Sequence, residues 1–210
     1  MTVIGFSSGG TGHIGNVDRM VQAILEMGGN ESEFVKLTDL VFSGCKGCVQ
    51  LCSVPQVCGL EDEAFPYYQK IKEADAVVLG IPVYSGSINA IAFSFIERFF
   101  GYRHVNMALQ DKPFILVVVG FRMIDAAVEQ LQRKLMFLGA RILDTVKFIS
   151  EMPPCLTCGR HQECSIGGLY YSMGEAARSL TVTPDLFRKW EDNPDAVAAI
   201  EEAGGKLRSI

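Results

Sequence analysis

The chain has 210 residues, 49% hydrophobic and 20% charged, enough apolar side chain for one sizeable core and too much for a disordered or collagen-like chain. Nineteen Lys and Arg against 24 Asp and Glu give a formal charge of −5 with no basic stripe, so neither nucleic acid nor an anionic membrane is an expected partner. The seven cysteines are an odd number, four within residues 45–58 and three within 155–164. That count argues against a complete disulfide framework and for a reducing, cytoplasmic setting in which clustered thiols more often hold metal.

Met1–Phe6 lacks the basic and long apolar stretches of a signal peptide, and no run of about 18 apolar residues suggests a membrane span. Thr2–Phe6 reads as a first strand, followed by Ser7-Ser8-Gly9-Gly10. A helix follows with Asn16 as its N-cap and Val17, Met20, Val21, Ile24 and Leu25 on one face, stopped by Gly28-Gly29. Ser32–Leu37 reads as an edge strand, residues 38–63 as an aperiodic stretch and Ala64–Glu73 as a short helix. Asp75–Ile81 is a buried strand ended by Pro82. Ile91–Phe100 is a helix apolar nearly all round, which calls for burial between other elements or at a subunit interface. Pro113–Val119 is a strand, Ile124–Leu138 a helix and Arg141–Ile149 a fifth strand. Ser150–Gly168 is irregular again. Asn193-Pro194 then caps a last helix running toward Leu207.

Strands alternating with helices predict an α/β fold, a five-stranded parallel sheet with helices on both faces. No repeat or low-complexity linker interrupts it. Residues 1–210 read as a single domain with a cysteine-rich insert at 38–63 and a cysteine-containing loop and helical tail at 150–210. Ligands of such sheets bind beyond the carboxyl ends of the strands. Both cysteine groups fall in loops at that edge, and two of the five loops there are longer than usual.

The loop Ser7–Asn16 is rich in glycine and opens a helix, which suits an anion. Gly10–Gly15 spells G-x-G-x-x-G, but the strand ends too early and the helix starts too late for the dinucleotide fingerprint. Its hydroxyl and amide side chains, without Lys or Arg, suit the phosphate of a flavin mononucleotide; His13 is a contact or an exposed loop residue. Pro82-Val83-Tyr84-Ser85-Gly86-Ser87 offers a ring to stack on a flat cofactor and backbone amides for its rim. Gly120-Phe121-Arg122 is a further candidate wall.

Cys45, Cys48, Cys52 and Cys58 form C-x2-C-x3-C-x5-C. Four thiolates in a compact loop suit a [4Fe–4S] cluster. Structural zinc and unligated thiols are the alternatives. Cys155, Cys158, His161 and Cys164 read C-x2-C-x2-H-x2-C, open to zinc, a second cluster or plain loop thiols.

Together, Ser7 to Asn16, the Cys45–Cys58 group with Leu60-Glu61-Asp62-Glu63, Ala74-Asp75 with Pro82-Val83-Tyr84, Phe95-Ile96-Glu97-Arg98-Phe99 and the Trp190–Pro194 segment resemble the iron–sulfur flavoproteins of the NADPH-dependent FMN reductase branch. The resemblance implies a flavodoxin-like fold with strand order 2-1-3-4-5. It implies an FMN phosphate held by Ser7, Asn16, Val17 and the loop between, including Gly9, Thr11 and Gly15. Isoalloxazine contacts would come from Pro82, Val83, Tyr84, Ser85, Gly86, Ser87 and near Gly120, cluster ligands from Cys45, Cys48, Cys52 and Cys58, and the assembly would be a homodimer or homotetramer. The chain departs from the family where Ser7-Ser8-Gly9 replaces Ser-Pro-Arg, where Val17 replaces Thr or Ser, and where Leu51 lengthens the cysteine spacing.

The expected function is a flavin-dependent oxidoreductase passing electrons between FMN and a [4Fe–4S] cluster, fed by NAD(P)H or a ferredoxin. The flavin carries the chemistry, so no catalytic side chain is expected. The rivals are an FMN reductase or carrier with structural zinc and a non-enzymatic, metal-stabilised interaction module.

Overall fold

The computed structural model describes residues 1–121, 123–150 and 155–210. Its elements run β1 (Thr2–Ser7), α1 (Asn16–Gly28), β2 (Glu31–Lys36), α2 (Val49–Ser53), α3 (Phe65–Glu73), β3 (Ala76–Tyr84), β4 (Ser87–Ile88), α4 (Ala90–Glu97), β5 (Pro113–Gly120), α5 (Ile124–Phe137), β6 (Arg141–Ile149), α6 (Cys155–Cys158), α7 (Gly168–Met173) and α8 (Pro194–Arg208). Short 3-10 turns join several of them.

Five strands lie parallel in the order β2-β1-β3-β5-β6. This is the expected 2-1-3-4-5 order once the two-residue β4, which folds back antiparallel on β3, is set aside. The sheet therefore has six strands rather than five.

Alternation along the strands divides the core into two layers. Phe6, Val77, Leu79, Phe114 and Leu116 face α3, α4 and α5. Val3, Val78, Ile115 and Val117 face α1 and α8. On that second side α1 lies close to the sheet: a Cβ on Gly80 would meet Val21 at 2.4 Å and Val17 at 2.8 Å. The contact brings the start of α1 down onto the carboxyl end of β3.

Three sequence expectations are corrected. Gly15, not Asn16, is the N-cap of α1, and the Asp18 carboxylate accepts its N–H at 2.7 Å. Asn16 is thereby freed for other partners. Pro82 does not end β3, which continues to Tyr84. Gly80 O accepts from the Ser8 N–H at 2.9 Å, so Pro82, two residues on, also faces the β1 side, where β1 has ended. A residue with no N–H costs nothing there. The apolar helix is split into α4 and a 3-10 turn over Arg98–Tyr102. Ala92, Phe95, Ile96 and Phe99 are buried within the chain, and only Phe100 of its aromatics is exposed, so the intramolecular burial accounts for most of its apolarity.

β2 forms one rim of the sheet. Glu31 and Ser32 are exposed on it, and Glu33 pairs with Lys70 Nζ at 2.7 Å. No helix among the described residues is long and apolar enough to cross a membrane.

Candidate functional site

At the carboxyl edge of the sheet, the β1–α1 loop is held by a buried polar latch. Ser7, paired in register with Lys36 and Gly80, donates its hydroxyl to Asp18 Oδ1 at 2.6 Å. Lys36 Nζ donates to Asp18 Oδ2 at 2.9 Å and to the His13 carbonyl. The Gly9 N–H donates to Ser7 Oγ at 3.1 Å. All three side chains are buried. Asn89 adds a second tie, donating to Ser8 O at 2.8 Å while accepting from the Ala92 N–H as N-cap of α4. Thr38 Oγ1 donates to Gly9 O at 2.9 Å. The loop is thus shaped by the protein itself, leaving the first N–H groups of α1 without intrahelical acceptors.

Over this loop lies a cleft of about 380 Å³, within the range of small-ligand sites. Of the residues expected from sequence, Gly9, Gly15, Asn16, Val17, Pro82 and Tyr84 line it. Tyr84 stands half exposed at its mouth. His13 also lines it, its ring Nδ1 3.0 Å from Thr11 O.

The other expected contacts are placed differently. The Ser7 hydroxyl is buried and spent on Asp18. Thr11 is exposed and off the cleft lining. Ser85 and Gly86, at φ +52° and +77°, form the β3–β4 turn, and Ser87 donates to Gln130 Oε1 at 2.7 Å. A Cβ on Gly120 would meet Val83 at 2.9 Å, so this pair packs together under the site rather than lining the cleft. Arg122, in the proposed third wall, lies outside the described residues.

The tail supplies what the sequence did not reveal. Phe187, Arg188 and Lys189 close one side of the cleft, so the cations missing from the loop come from Arg19 of α1 and from the far end of the chain. Asn16 holds them there: its amide donates to Arg188 O at 3.0 Å and its Oδ1 accepts from the Trp190 N–H at 3.3 Å. Arg19, beside it, donates to Asn16 Oδ1 at 2.7 Å and pairs with Glu191 at 2.5 Å. Partial burial opposes charge on Glu191, but the Arg19 hydrogen bond outweighs it and holds the carboxyl below its ordinary range.

The second constellation is the Cys45–Cys58 loop. All four thiols line one small cavity with Arg98. The C-x3-C spacing has a structural reason: Cys48 is the N-cap of α2 and Cys52 lies one turn on, at i+4, on the same side. Leu51 is exposed. Cys52 and Cys58 are buried, Cys48 is half-buried and Cys45 is exposed. Burial, then the neighbouring Cys58, Cys48 and Cys45, pushes the Cys52 thiol up. His104 Nε2 lies 3.1 Å from Cys52 Sγ.

Arg98, 1% exposed, anchors this loop. Its Nε donates to Cys58 Sγ at 3.1 Å, its NH1 to both Asp62 oxygens at 2.9 and 2.7 Å, and its NH2 to Leu60 O at 2.9 Å. Its guanidinium lies 4.5 Å from the centre of the Tyr68 ring. Burial works against its charge, but Asp62, then Tyr68 and Cys58, hold it above the usual arginine value. Gly101 allows the close approach: a Cβ there would meet Cys58 N at 2.8 Å.

The Cys155 group is arranged more loosely. A Cβ on Gly167 would meet Cys155 Sγ at 2.8 Å and Cys164 Sγ at 3.1 Å, and the Gly167 N–H donates to Cys164 Sγ. Cys158 is exposed. His161 is 7% exposed, its Nε2 2.8 Å from Leu180 O and its Nδ1 buried without a partner. Among the described residues, no three His, Cys, Asp or Glu side chains are grouped for a single metal ion.

The sequence model of the NADPH-dependent FMN reductase family matches residues 1–152. The chain belongs to this family. Among curated relatives, an iron–sulfur flavoprotein of Archaeoglobus fulgidus is 34% identical over 90 residues, covering 43% of this chain and 44% of the relative. An iron–sulfur flavoprotein of Methanocaldococcus jannaschii is 33% identical over 123 residues, 57% and 62% of the two chains. The chain thus spans about half the length of the curated relatives it matches. Among solved structures, an azoreductase from Bacillus anthracis str. Sterne superposes with TM-score 0.60 at 15% identity over the whole of both chains. A flavodoxin from Megasphaera elsdenii gives 0.54 at 14%, again over both whole chains. These likenesses establish a flavodoxin-like fold. The family match ends before Cys155.

Proposed function

We propose that the chain is a cytoplasmic FMN-dependent oxidoreductase, a single working domain that exchanges electrons between the flavin and a [4Fe–4S] cluster, with NAD(P)H or a ferredoxin as donor. The observation that carries this reading is the cleft over the N-terminus of α1, bounded by Pro82 and Tyr84 and closed by Arg188 and Lys189. A helix N-terminus beneath a preshaped glycine loop receives a phosphate, and two neighbouring cationic residues favour the same charge. Bound FMN supplies one- and two-electron chemistry, and a cluster supplies single-electron exchange.

The chain's own residues do the positioning. Asp18, Ser7 and Lys36 hold the phosphate loop in shape before any ligand arrives. Asn89 fixes that loop to the β3–α4 connection, so the phosphate and ring ends of the cleft keep their spacing. Pro82 and Tyr84 give one wall of the cleft, on which a flat ring can lie. Cys45, Cys48, Cys52 and Cys58 are the proposed cluster ligands, and the names of the curated relatives support an iron–sulfur group there. Cys155, Cys158, His161 and Cys164 are a proposed further metal site. Its support is His161, whose Nε2 is fixed on a carbonyl while Nδ1 stays free in the interior, the pattern of a ligating histidine.

Anaerobic purification followed by absorption spectroscopy and metal analysis tests the reading. Flavin bands with a broad absorbance bleached by dithionite, and iron and sulfide in equal amounts, are expected. Flavin with zinc and no iron leaves an FMN reductase or carrier with structural zinc. A colourless protein that does not take up FMN overturns both.

A further inference from the structure

Arg98 is a full charge placed 1% exposed inside an aromatic core, where a cation is costly unless it is paired. Its pairing with Asp62 would by itself explain how it is tolerated, but not where its Nε points. That donor is 3.1 Å from Cys58 Sγ, although backbone carbonyls of the same loop are close enough to serve the other guanidinium nitrogens. Every guanidinium nitrogen is used: Nε on the thiol, NH1 on Asp62 and Ser43 O, NH2 on Leu60 O. The 3-10 turn that carries Arg98 is held from behind by Tyr102, whose hydroxyl donates to Tyr68 O at 2.6 Å, and Tyr68 donates to Phe95 O at 3.1 Å. The guanidinium rests on the Tyr68 ring. The fork therefore has little freedom to swing away from Cys58.

We propose that Arg98 is a positioning residue for the iron–sulfur cluster, its buried cation donating a charge-assisted hydrogen bond to the Cys58 thiolate that orients this ligand and raises the cluster's reduction potential. The inference rests on the cluster reading above. Its physical basis is general: hydrogen bonds to cluster sulfurs and nearby positive charge favour the state carrying the extra electron, and burial strengthens both. Asp62 limits the effect by neutralising part of the charge but leaves the Nε donor untouched, because it occupies the other side of the fork.

The test compares the potential of the loaded wild-type protein with those of Arg98→Lys and Arg98→Gln in anaerobic spectroelectrochemical titrations. Iron, sulfide and FMN per chain and far-UV circular dichroism are measured on the same samples. Lys keeps the cation, and Gln keeps a neutral donor. Arg98→Gln is expected to weaken electron uptake by the cluster at least tenfold, about 59 mV for one electron, with Arg98→Lys recovering most of the loss. Loaded variants that both titrate at the wild-type potential overturn the assignment. If the Gln protein does not fold, Arg98→Lys decides: a loaded Lys protein with a potential lowered from wild type, or one that loses iron with FMN and circular dichroism unchanged, supports the assignment, and a loaded Lys protein at the wild-type potential overturns it. A wild-type protein that holds FMN but no iron overturns the cluster reading instead, a result distinct from the others.

Discussion

The two cysteine regions differ less in their sequence spacing than in what surrounds them. In the 45–58 loop two thiols are buried, and one accepts from a guanidinium that is itself clamped by Asp62, Leu60 and Ser43. In the 155–164 segment Cys158 is exposed, and Cys155 packs on a satellite core whose buried residues are Leu156, Leu169 and Ala177. Both patterns are short, dense and written in the same letters. The difference lies in buried polar groups contributed by distant elements. Thiols become a preorganised site when other parts of the fold hold them at a fixed place.

The largest effect that would break this contrast is the loss of Asp62. Asp62→Ala leaves Arg98 buried without its carboxylate and should cost about 3–5 kcal/mol in urea unfolding. Removing Glu163 from its exposed pair with Arg160 in the second region should leave the urea midpoint essentially unchanged. Equal losses would show that the two regions are anchored alike. Ligand removal sharpens the contrast next. Cys48→Ala should reduce iron to background while FMN stays bound; unchanged iron would remove Cys48 from the ligand set. Cys158→Ala should leave iron unchanged, and a fall in iron would make the second group a cluster site as well.

A smaller effect is expected at the joint that holds the phosphate loop. Asn89→Ala removes a helix cap and the tie to Ser8 and should cost about 1–2 kcal/mol, with weaker FMN binding by fluorescence titration. The smallest concerns the tail. Glu191 has its carboxyl held below the ordinary range, so its pair with Arg19 stabilises the fold above the unfolded carboxylate value. That contribution fades as pH falls through the lower folded value. With both side chains about a third exposed, solvent screening limits it to about 0.5 kcal/mol, further reduced by salt. Glu191→Gln should therefore flatten the acid limb of the stability curve slightly. No change in that limb would show that the tail docks without this pair.

The fold was legible where strands carry long apolar runs, as in Phe114–Val119, and where helices show one apolar face, as in α1. The alternation rule also located the cleft at the right edge of the sheet. Pro82 misled because its cost depends on which neighbour it faces, which local sequence does not encode. Asn16 misled as a cap because Asp18, three residues past Gly15, does that work. Such an acidic residue in the first turn was a readable signal. Arg98 was also readable as one basic residue in the run Phe95–Tyr102, but its partners Asp62 and Cys58 lie 36 and 40 positions away. Phe187–Lys189 could not be found locally, because Asn16 meets Arg188 across 172 positions.

The acidic rim at β2 also governs how copies of the chain can meet. An uncovered strand normally invites a second sheet to continue it. Here Glu31 and Glu33 place two carboxylates on that rim, and Glu33 holds Lys70 beside it. Charged side chains of this kind blunt an edge strand as a template for another sheet, so the rim carries its own guard against runaway strand addition.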